Sequence, residues 1–126
     1  MQKTNHSQHY TDELKRLEEK YSPIQRPSVE SVARQMRGLK DRCDHFQRLA
    51  DRYKDKKING ECSKETLVTI FIICEFLGAC IKRFNDLQEH YNKNGFSVLA
   101  YRDTDTEVPH GVEVYSTNGE GYLKVC

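Results

Sequence analysis

Three acidic residues alternate along the chain at Asp103, Asp105 and Glu107. Carboxylates at positions 1, 3 and 5 begin a calcium-binding loop, because Ca²⁺ is a hard cation that prefers oxygen ligands. The rest of such a loop is missing: Val108 stands where position 6 requires glycine, and Val114 where position 12 requires glutamate. The pattern therefore favours a solvated acidic loop over a calcium site.

The 5 histidines and 5 cysteines lack the spacing of a zinc site or of a disulfide framework. There is no Cys-x-x-Cys pair, and Cys74 and Cys80 stand six positions apart, where a helix points them in different directions. The sequence also has no nucleophile elbow, phosphate-binding glycine loop or metalloprotease helix. We therefore expect no catalytic residues, no metal and no cofactor, in a protein that is not an enzyme.

Charge is distributed unevenly along the chain. Residues 26–57 carry ten basic and five acidic side chains, whereas residues 95–126 carry two basic and five acidic ones. A basic helix can neutralise phosphates and so bind nucleic acid, but the aspartates at positions 41, 44, 51 and 55 would repel the same phosphates. Contact with nucleic acid or with an acidic partner is therefore the alternative interpretation. Its candidate residues are Arg34, Arg37, Arg48, Arg52, Lys54, Lys56 and Lys57.

The elements that position these residues follow from the apolar spacing. Intervals of four, three and four predict a short helix over about residues 11–21, capped by Thr11, after a flexible tail of residues 1–10. A longer 3-4-3-4 spacing predicts a helix over about 28–57 with Ser28 as its N-cap. A parallel dimer along this second seam would form no opposite-charge pair, so the seam is predicted to pack within its own chain.

A third helix is predicted over about residues 63–94, beginning at Ser63 as its N-cap and ending before Gly95. Residues 67–81 are apolar at 12 of 15 positions, which exceeds what one facing helix and a small sheet can cover. A membrane span needs about 20 apolar residues and would not tolerate a central acid such as Glu75. The surplus therefore predicts an interface. Its candidate residues are Val68, Ile72, Phe76 and Ala79.

Residues 96–126 are predicted to form a small antiparallel β-meander. A two-residue type I′ turn at Asn118-Gly119 would align four matched pairs across the last hairpin, with an apolar face over the helices. These pairs are Tyr115 with Tyr122, Val114 with Leu123, Glu113 with Lys124 and Val112 with Val125. The prediction is an α+β fold in a single domain of residues 11–126, with an antiparallel helical hairpin, a short N-terminal helix and a C-terminal meander.

Composition limits the function classes. A chain of 126 residues suffices for one domain, so we expect a single domain rather than a multidomain enzyme. The N-terminal residues do not resemble a secretory signal, and an odd number of cysteines favours reduced thiols, so we expect a cytoplasmic protein without a membrane segment. The leading hypothesis is a small regulator or adaptor that binds another protein through the helical hairpin and forms a homo-oligomer. The alternative is a nucleic-acid-binding accessory protein that uses helix 34–57.

Overall fold

A computed structural model describes residues 3–60, 63–119 and 121–125. Two long helices joined by a short connection form a hairpin, and three antiparallel strands in the order β1-β2-β3 pack against it. The predicted α+β fold is confirmed. The elements in chain order are α1 Lys3–Lys20, α2 Val29–Ile58, α3 Lys64–Asn92, β1 Phe96–Arg102, β2 Pro109–Ser116 and β3 Tyr122–Val125.

The first helix starts earlier than its apolar spacing predicts. It begins at Lys3, so residues 3–10, expected as a tail, are helical, and Thr11 lies inside the helix instead of capping it. The spacing reports only the part of a helix that packs against a neighbour. The polar residues before Tyr10 carry no such signal, although they continue the same helix.

Both long helices begin at the predicted serines. The Ser28 side chain accepts a hydrogen bond from the Ser31 N–H, and the Ser63 side chain accepts one from the Thr66 N–H, so each satisfies an unpaired donor of the first turn. The predicted apolar seam of α2 packs within the chain. Five of its positions are at most 1% exposed, namely Val32, Met36, Leu39, Cys43 and Ala50.

The core consists of two clusters along the hairpin. The larger one packs the first half of α2 and the second half of α3 under the sheet, with Met36, Phe84 and Val112 at its centre. The smaller one joins Cys43 and Cys80 to Val108 of the β1–β2 loop. Beyond it, α2 continues for about 12 residues, or roughly 18 Å. We call this projecting part, residues 47–58 and 63–75, the hairpin tip.

The register between β2 and β3 is as predicted, but the turn that joins them differs. All four cross-strand pairs between β2 and β3 are present, including Tyr115 with Tyr122 and Glu113 with Lys124. The Gly119 N–H donates to the Ser116 carbonyl at 3.1 Å, and Gly119 has a φ of +81°. Among the described residues other than glycine, only Glu107 has a positive φ. Because a type I′ turn needs positive φ at both central residues, the predicted turn type is wrong while its register is right.

Tyr91 ties the connector between α1 and α2 to α3. Its ring is fully buried, and its hydroxyl accepts the Ile24 N–H at 3.1 Å and donates to Gln35 Oε1 at 2.5 Å. Tyr91→Phe keeps the ring and leaves both groups unpaired, so we expect the free energy of unfolding in urea to fall by about 1–3 kcal/mol. The matched variant Tyr115→Phe, on the exposed face of the sheet, should change it by less than about 0.5 kcal/mol. Equal effects would contradict this role of Tyr91.

Candidate functional surfaces

Most of the large exposed apolar side chains in the part of the chain whose side chains are described lie in two groups, and Leu123, on the core side of the sheet, is the exception. One group, which we call the tip surface, comprises Leu67, Val68 and Phe71 on the first turns of α3. Single exposed apolar residues are ordinary, whereas grouped ones mark binding surfaces. The second group lies on the outer side of the sheet. We call it the tyrosine face, and it comprises Leu99, Tyr101, Tyr115 and Tyr122.

Among the helix side chains that the structure describes, the tip surface is the most exposed apolar group. Leu67 is 44% exposed, Val68 50% and Phe71 65%. Further along the same face of α3, Gly78 is exposed and is followed one turn later by Lys82. The outer face of α3 therefore changes from apolar at the hairpin tip to polar beside the sheet.

The predicted interface residues lie about a quarter turn away from the centre of this exposed face, taking 3.6 residues per turn. Val68 is exposed, but Ile72, Phe76 and Ala79 are only partly so. Phe76 stacks on Phe46 of α2, with ring centroids 5.6 Å apart and planes 13° apart. The structure thus places Val68 in the tip surface and packs Phe76 against α2, while Ile72 and Ala79 are only partly exposed.

The position of α1 explains this shift. Arg83, on the same side of α3 as Phe76, donates from Nε to the Tyr21 carbonyl at 2.8 Å and from Nη2 to the Glu18 carbonyl at 3.2 Å. These bonds satisfy carbonyls at the end of α1 and hold it along that side. Sequence spacing could not locate this contact, because residues 67–81 are apolar on nearly every side of the helix.

A depression of about 770 Å³ lies between α1 and the hairpin, on the side away from Phe71. Its apolar floor includes Leu17, Phe46 and Phe76, and the Cys80 thiol also lines it. Burial raises the pKa of Cys80 to about 11, although the nearby positive charge of Arg42 opposes this shift. The thiol is therefore protonated at neutral pH and is not an activated nucleophile.

The seven basic residues proposed for phosphate contact are all exposed, but they do not form an unbroken stripe. Arg37 Nε lies 4.0 Å from Asp41 Oδ2, beside the half of α2 that packs under the sheet. The densest group is at the hairpin tip, close in the chain to the start of α3. It consists of Arg52, Lys54, Lys56 and Lys57, with Asp55 between them.

Lys40 forms a charge cluster that the sequence did not reveal. Its side chain is nearly buried, and Nζ lies 3.2 Å from both Asp41 Oδ1 and Asp44 Oδ2. Burial alone would lower the pKa of Lys40, but the two carboxylates outweigh it, so the pKa is raised above 10.5. Asp44 Oδ1 also lies 3.9 Å from His110 Nδ1, which connects α2 to the sheet.

The acidic loop is ordered by its own backbone. The Asp103 N–H donates to the Val108 carbonyl, and the Glu107 N–H donates to the Asp103 carbonyl, both at 3.1 Å. The pKa of Asp103 is lowered by a hydrogen bond from the Asp105 N–H and by His110. Within residues 3–60, 63–119 and 121–125, no three His, Cys, Asp or Glu side chains are grouped so that they could hold a metal ion.

The tyrosine face is organised around one carboxylate. Tyr122 donates to Glu113 Oε1 at 3.0 Å, Tyr115 donates to Oε2 at 3.3 Å, and Tyr101 also hydrogen-bonds this side chain. The rings of Tyr115 and Tyr122 lie 4.7 Å apart. Alternation along β1, which puts Tyr101 on the outer side, was the signal that could have revealed this cluster.

Comparisons with known proteins found no family model, no curated protein and no solved structure that matches the chain. In the described part of the chain, none of the helices has the length and apolar character needed to cross a membrane.

Proposed function

We propose that this protein is a small non-enzymatic adaptor that binds another protein through its hairpin tip. The observation that carries the proposal is the tip surface, where Phe71 is 65% exposed beside Leu67 and Val68. Leaving a phenylalanine in water forgoes about 1.5–3 kcal/mol of burial, which a partner can recover. Free thiols at Cys43, Cys74 and Cys80 are consistent with the reducing environment of the cytosol, where we place the protein.

The chemistry of the tip favours an acidic amphipathic helix as the occupant. Leu67 and Phe71 stand one turn apart with Val68 beside Leu67, and together they offer an apolar surface to the i, i+3, i+4 anchors of such a helix. The basic group at the end of α2, Arg52 to Lys57, lies at the same end of the helical hairpin and would attract acidic side chains on the flanks of the partner helix. The proposed complex therefore combines an apolar centre with a charged rim.

The size of the tip surface limits how tightly it binds. Its three side chains expose roughly 300 Å², taking about 150–250 Å² for a large side chain in full exposure. A stable interface buries about 800 Å² on each partner. We therefore propose a transient complex. Homo-oligomerisation through the same surface remains a second proposal, but it should be weaker because two copies bring together like-charged basic groups.

Phe71→Gln tests the proposal in the full-length chain. The probe is a fluorescent model helix with leucine at i, i+3, i+4 and i+7 and glutamate elsewhere, and binding is measured by fluorescence anisotropy. Since a buried aromatic anchor contributes about 2 kcal/mol, we expect Phe71→Gln to raise Kd by at least about tenfold. Lys82→Gln is the matched control, because it places the same residue on the same face of α3, three turns further along.

Further measurements distinguish an acidic helix from other molecules that could bind the tip surface. A helix with lysine in place of glutamate should bind far more weakly, because the basic group would repel it. Failure of the acidic helix to bind, or equal loss in Phe71→Gln and Lys82→Gln, would overturn the proposal. A third outcome would instead assign the surface to a second copy of the chain. In that case light scattering would give a dimer mass for the wild type and for Lys82→Gln but a monomer mass for Phe71→Gln, and the peptide would not bind.

A further inference from the structure

The tyrosine face has a hydrogen-bonded cluster of polar groups that packing of the sheet does not explain. Tyrosine is common in strands, so exposed tyrosines on a sheet are not a site in themselves. Here, however, the cross-strand register places Tyr115 beside Tyr122 and Leu99 beside Glu113, and the tyrosine hydroxyls converge on the Glu113 carboxylate. The result is a carboxylate that accepts hydrogen bonds from three tyrosines on the solvent side of the sheet.

The carboxylate at the centre is charged at neutral pH. Desolvation would raise the pKa of Glu113, but hydrogen bonds from Tyr101, Tyr122 and Tyr115 lower it below its usual value. Desolvation, together with the hydrogen bond to the same carboxylate, raises the pKa of Tyr122 to about 12, so the phenol stays a neutral donor. A negative charge between aromatic rings attracts cations through both charge pairing and the ring faces.

The chain already supplies a loosely held cation here. Lys124, which pairs with Glu113 across the strands, places its Nζ 5.7 Å from the centre of the Tyr101 ring. That distance is close to the limit of about 6 Å for a cation–π contact. The contact of Lys124 with this ring is therefore weak, and a better-fitting cation can displace it.

Among biological cations, arginine fits this arrangement best. A guanidinium is planar, stacks on tyrosine rings and forms directed hydrogen bonds to a carboxylate, whereas an ammonium is a compact and strongly hydrated charge. The surrounding region favours a basic partner as well, because residues 95–126 carry five acidic and two basic side chains. The same excess of negative charge disfavours nucleic acid on this face.

We propose that the tyrosine face binds an arginine side chain of a partner protein, with the guanidinium paired to Glu113 and stacked on the rings of Tyr115 and Tyr122. This site goes beyond the hairpin tip and does not depend on it. The two surfaces prefer opposite charges, so an adaptor that uses both would join an acidic helix to an arginine-bearing segment.

The test titrates the ¹⁵N-labelled full-length chain with a glycine-serine peptide that carries several arginines, and follows backbone amide shifts. We expect saturable shifts confined to the tyrosine face, and weaker binding of the same peptide with lysine in place of arginine. Glu113→Gln should weaken binding by about tenfold, because it removes a charge-assisted pair. Glu107→Gln removes an equal charge from the acidic loop and should change Kd by less than about twofold.

Lys124→Gln is expected to change the affinity for the arginine peptide in the opposite direction to Glu113→Gln. Loss of folding could not cause such a gain in affinity. Removing the competing cation should strengthen arginine-peptide binding by about threefold, in line with a weak exposed cation–π contact. Weaker binding in Lys124→Gln would overturn the proposal, as would unchanged binding in Glu113→Gln or a preference for single-stranded oligonucleotides. Phe71→Gln should leave this binding unchanged, so the two proposed surfaces can fail separately.

Discussion

Replacing Phe84 with alanine is expected to lower the free energy of unfolding by about 3–5 kcal/mol. Phe84 is fully buried in the larger core cluster, and the Arg102 guanidinium lies 5.3 Å from its ring centre. The substitution removes most of a large side chain from a region enclosed by α2, α3 and the sheet. Since domains of this size have about 5–15 kcal/mol of stability, the variant should unfold at much lower urea concentration.

Phe71→Ala provides the comparison on the same helix. Phe71 is 65% exposed, so its truncation should change the free energy of unfolding by no more than about 0.5 kcal/mol. Urea unfolding followed by circular dichroism measures both variants. Similar losses for Phe71→Ala and Phe84→Ala would mean that the tip surface is buried by the chain itself, which would remove the basis of the proposed function.

Alkaline pH is the second condition expected to have a large effect. Burial raises the pKa of Cys43 from 9.0 to about 12, with smaller contributions from Cys80 and Asp44, and burial raises the pKa of Cys80 to about 11. Both thiols stay protonated in the folded chain while they ionise near pH 9 in the unfolded chain. The contribution of each protonated thiol to the free energy of unfolding is therefore fully present below about pH 9. It is lost as the pH rises toward 11 for Cys80 and 12 for Cys43, by about 1.4 kcal/mol per pH unit for each thiol.

Two variants isolate this effect from other groups that titrate in the same range. Cys43→Ala/Cys80→Ala should flatten the decline of unfolding free energy between pH 9 and 11. Cys74→Ala should leave the slope unchanged, because Cys74 is exposed. Urea unfolding at a series of pH values gives the slopes. An identical slope in the double variant and the wild type would contradict the burial of the two thiols.

Local signals were sufficient to predict most of the architecture. The 3-4-3-4 seam of α2, the capping serines and the matched pairs of the last hairpin each depend on residues close in the chain or on a fixed period, and each is found in the structure. The register of β2 and β3 was predictable even with the wrong turn type, because a one-residue slip would turn Val112 and Val114 away from the core.

Contacts that follow no fixed period along the chain were not predictable in the same way. The Gln88 side chain of α3 donates to the Val98 carbonyl at 2.9 Å, and the Asn92 side chain accepts from the Val98 N–H at 2.6 Å. These side chains, ten and six residues away in the chain, satisfy backbone groups of β1. The burial of Lys40 depends on packing that no periodicity describes, because charged residues are expected on the surface. These contacts require the folded geometry.

The two candidate surfaces illustrate the same limit. The apolar stretch 67–81 predicted that part of α3 is uncovered, but α1 and Arg83 determine that Leu67 and Phe71 are exposed while Phe76 packs against Phe46. The pairing of Tyr115 with Tyr122 followed from the hairpin register. The position of Tyr101 on the same face depends on the pairing of β1 with β2, which the sequence interpretation did not assign.

Photo-crosslinking from position 71 tests the central claim most directly. Phe71 is replaced by the photoreactive analogue p-benzoylphenylalanine in the full-length chain, expressed in the cells from which the sequence comes, and the same analogue at Lys82 is the control. We expect a crosslink from position 71 alone, to a segment of another protein that mass spectrometry identifies as an acidic amphipathic helix. Equal crosslinking from both positions, or no crosslink from position 71, would contradict the account.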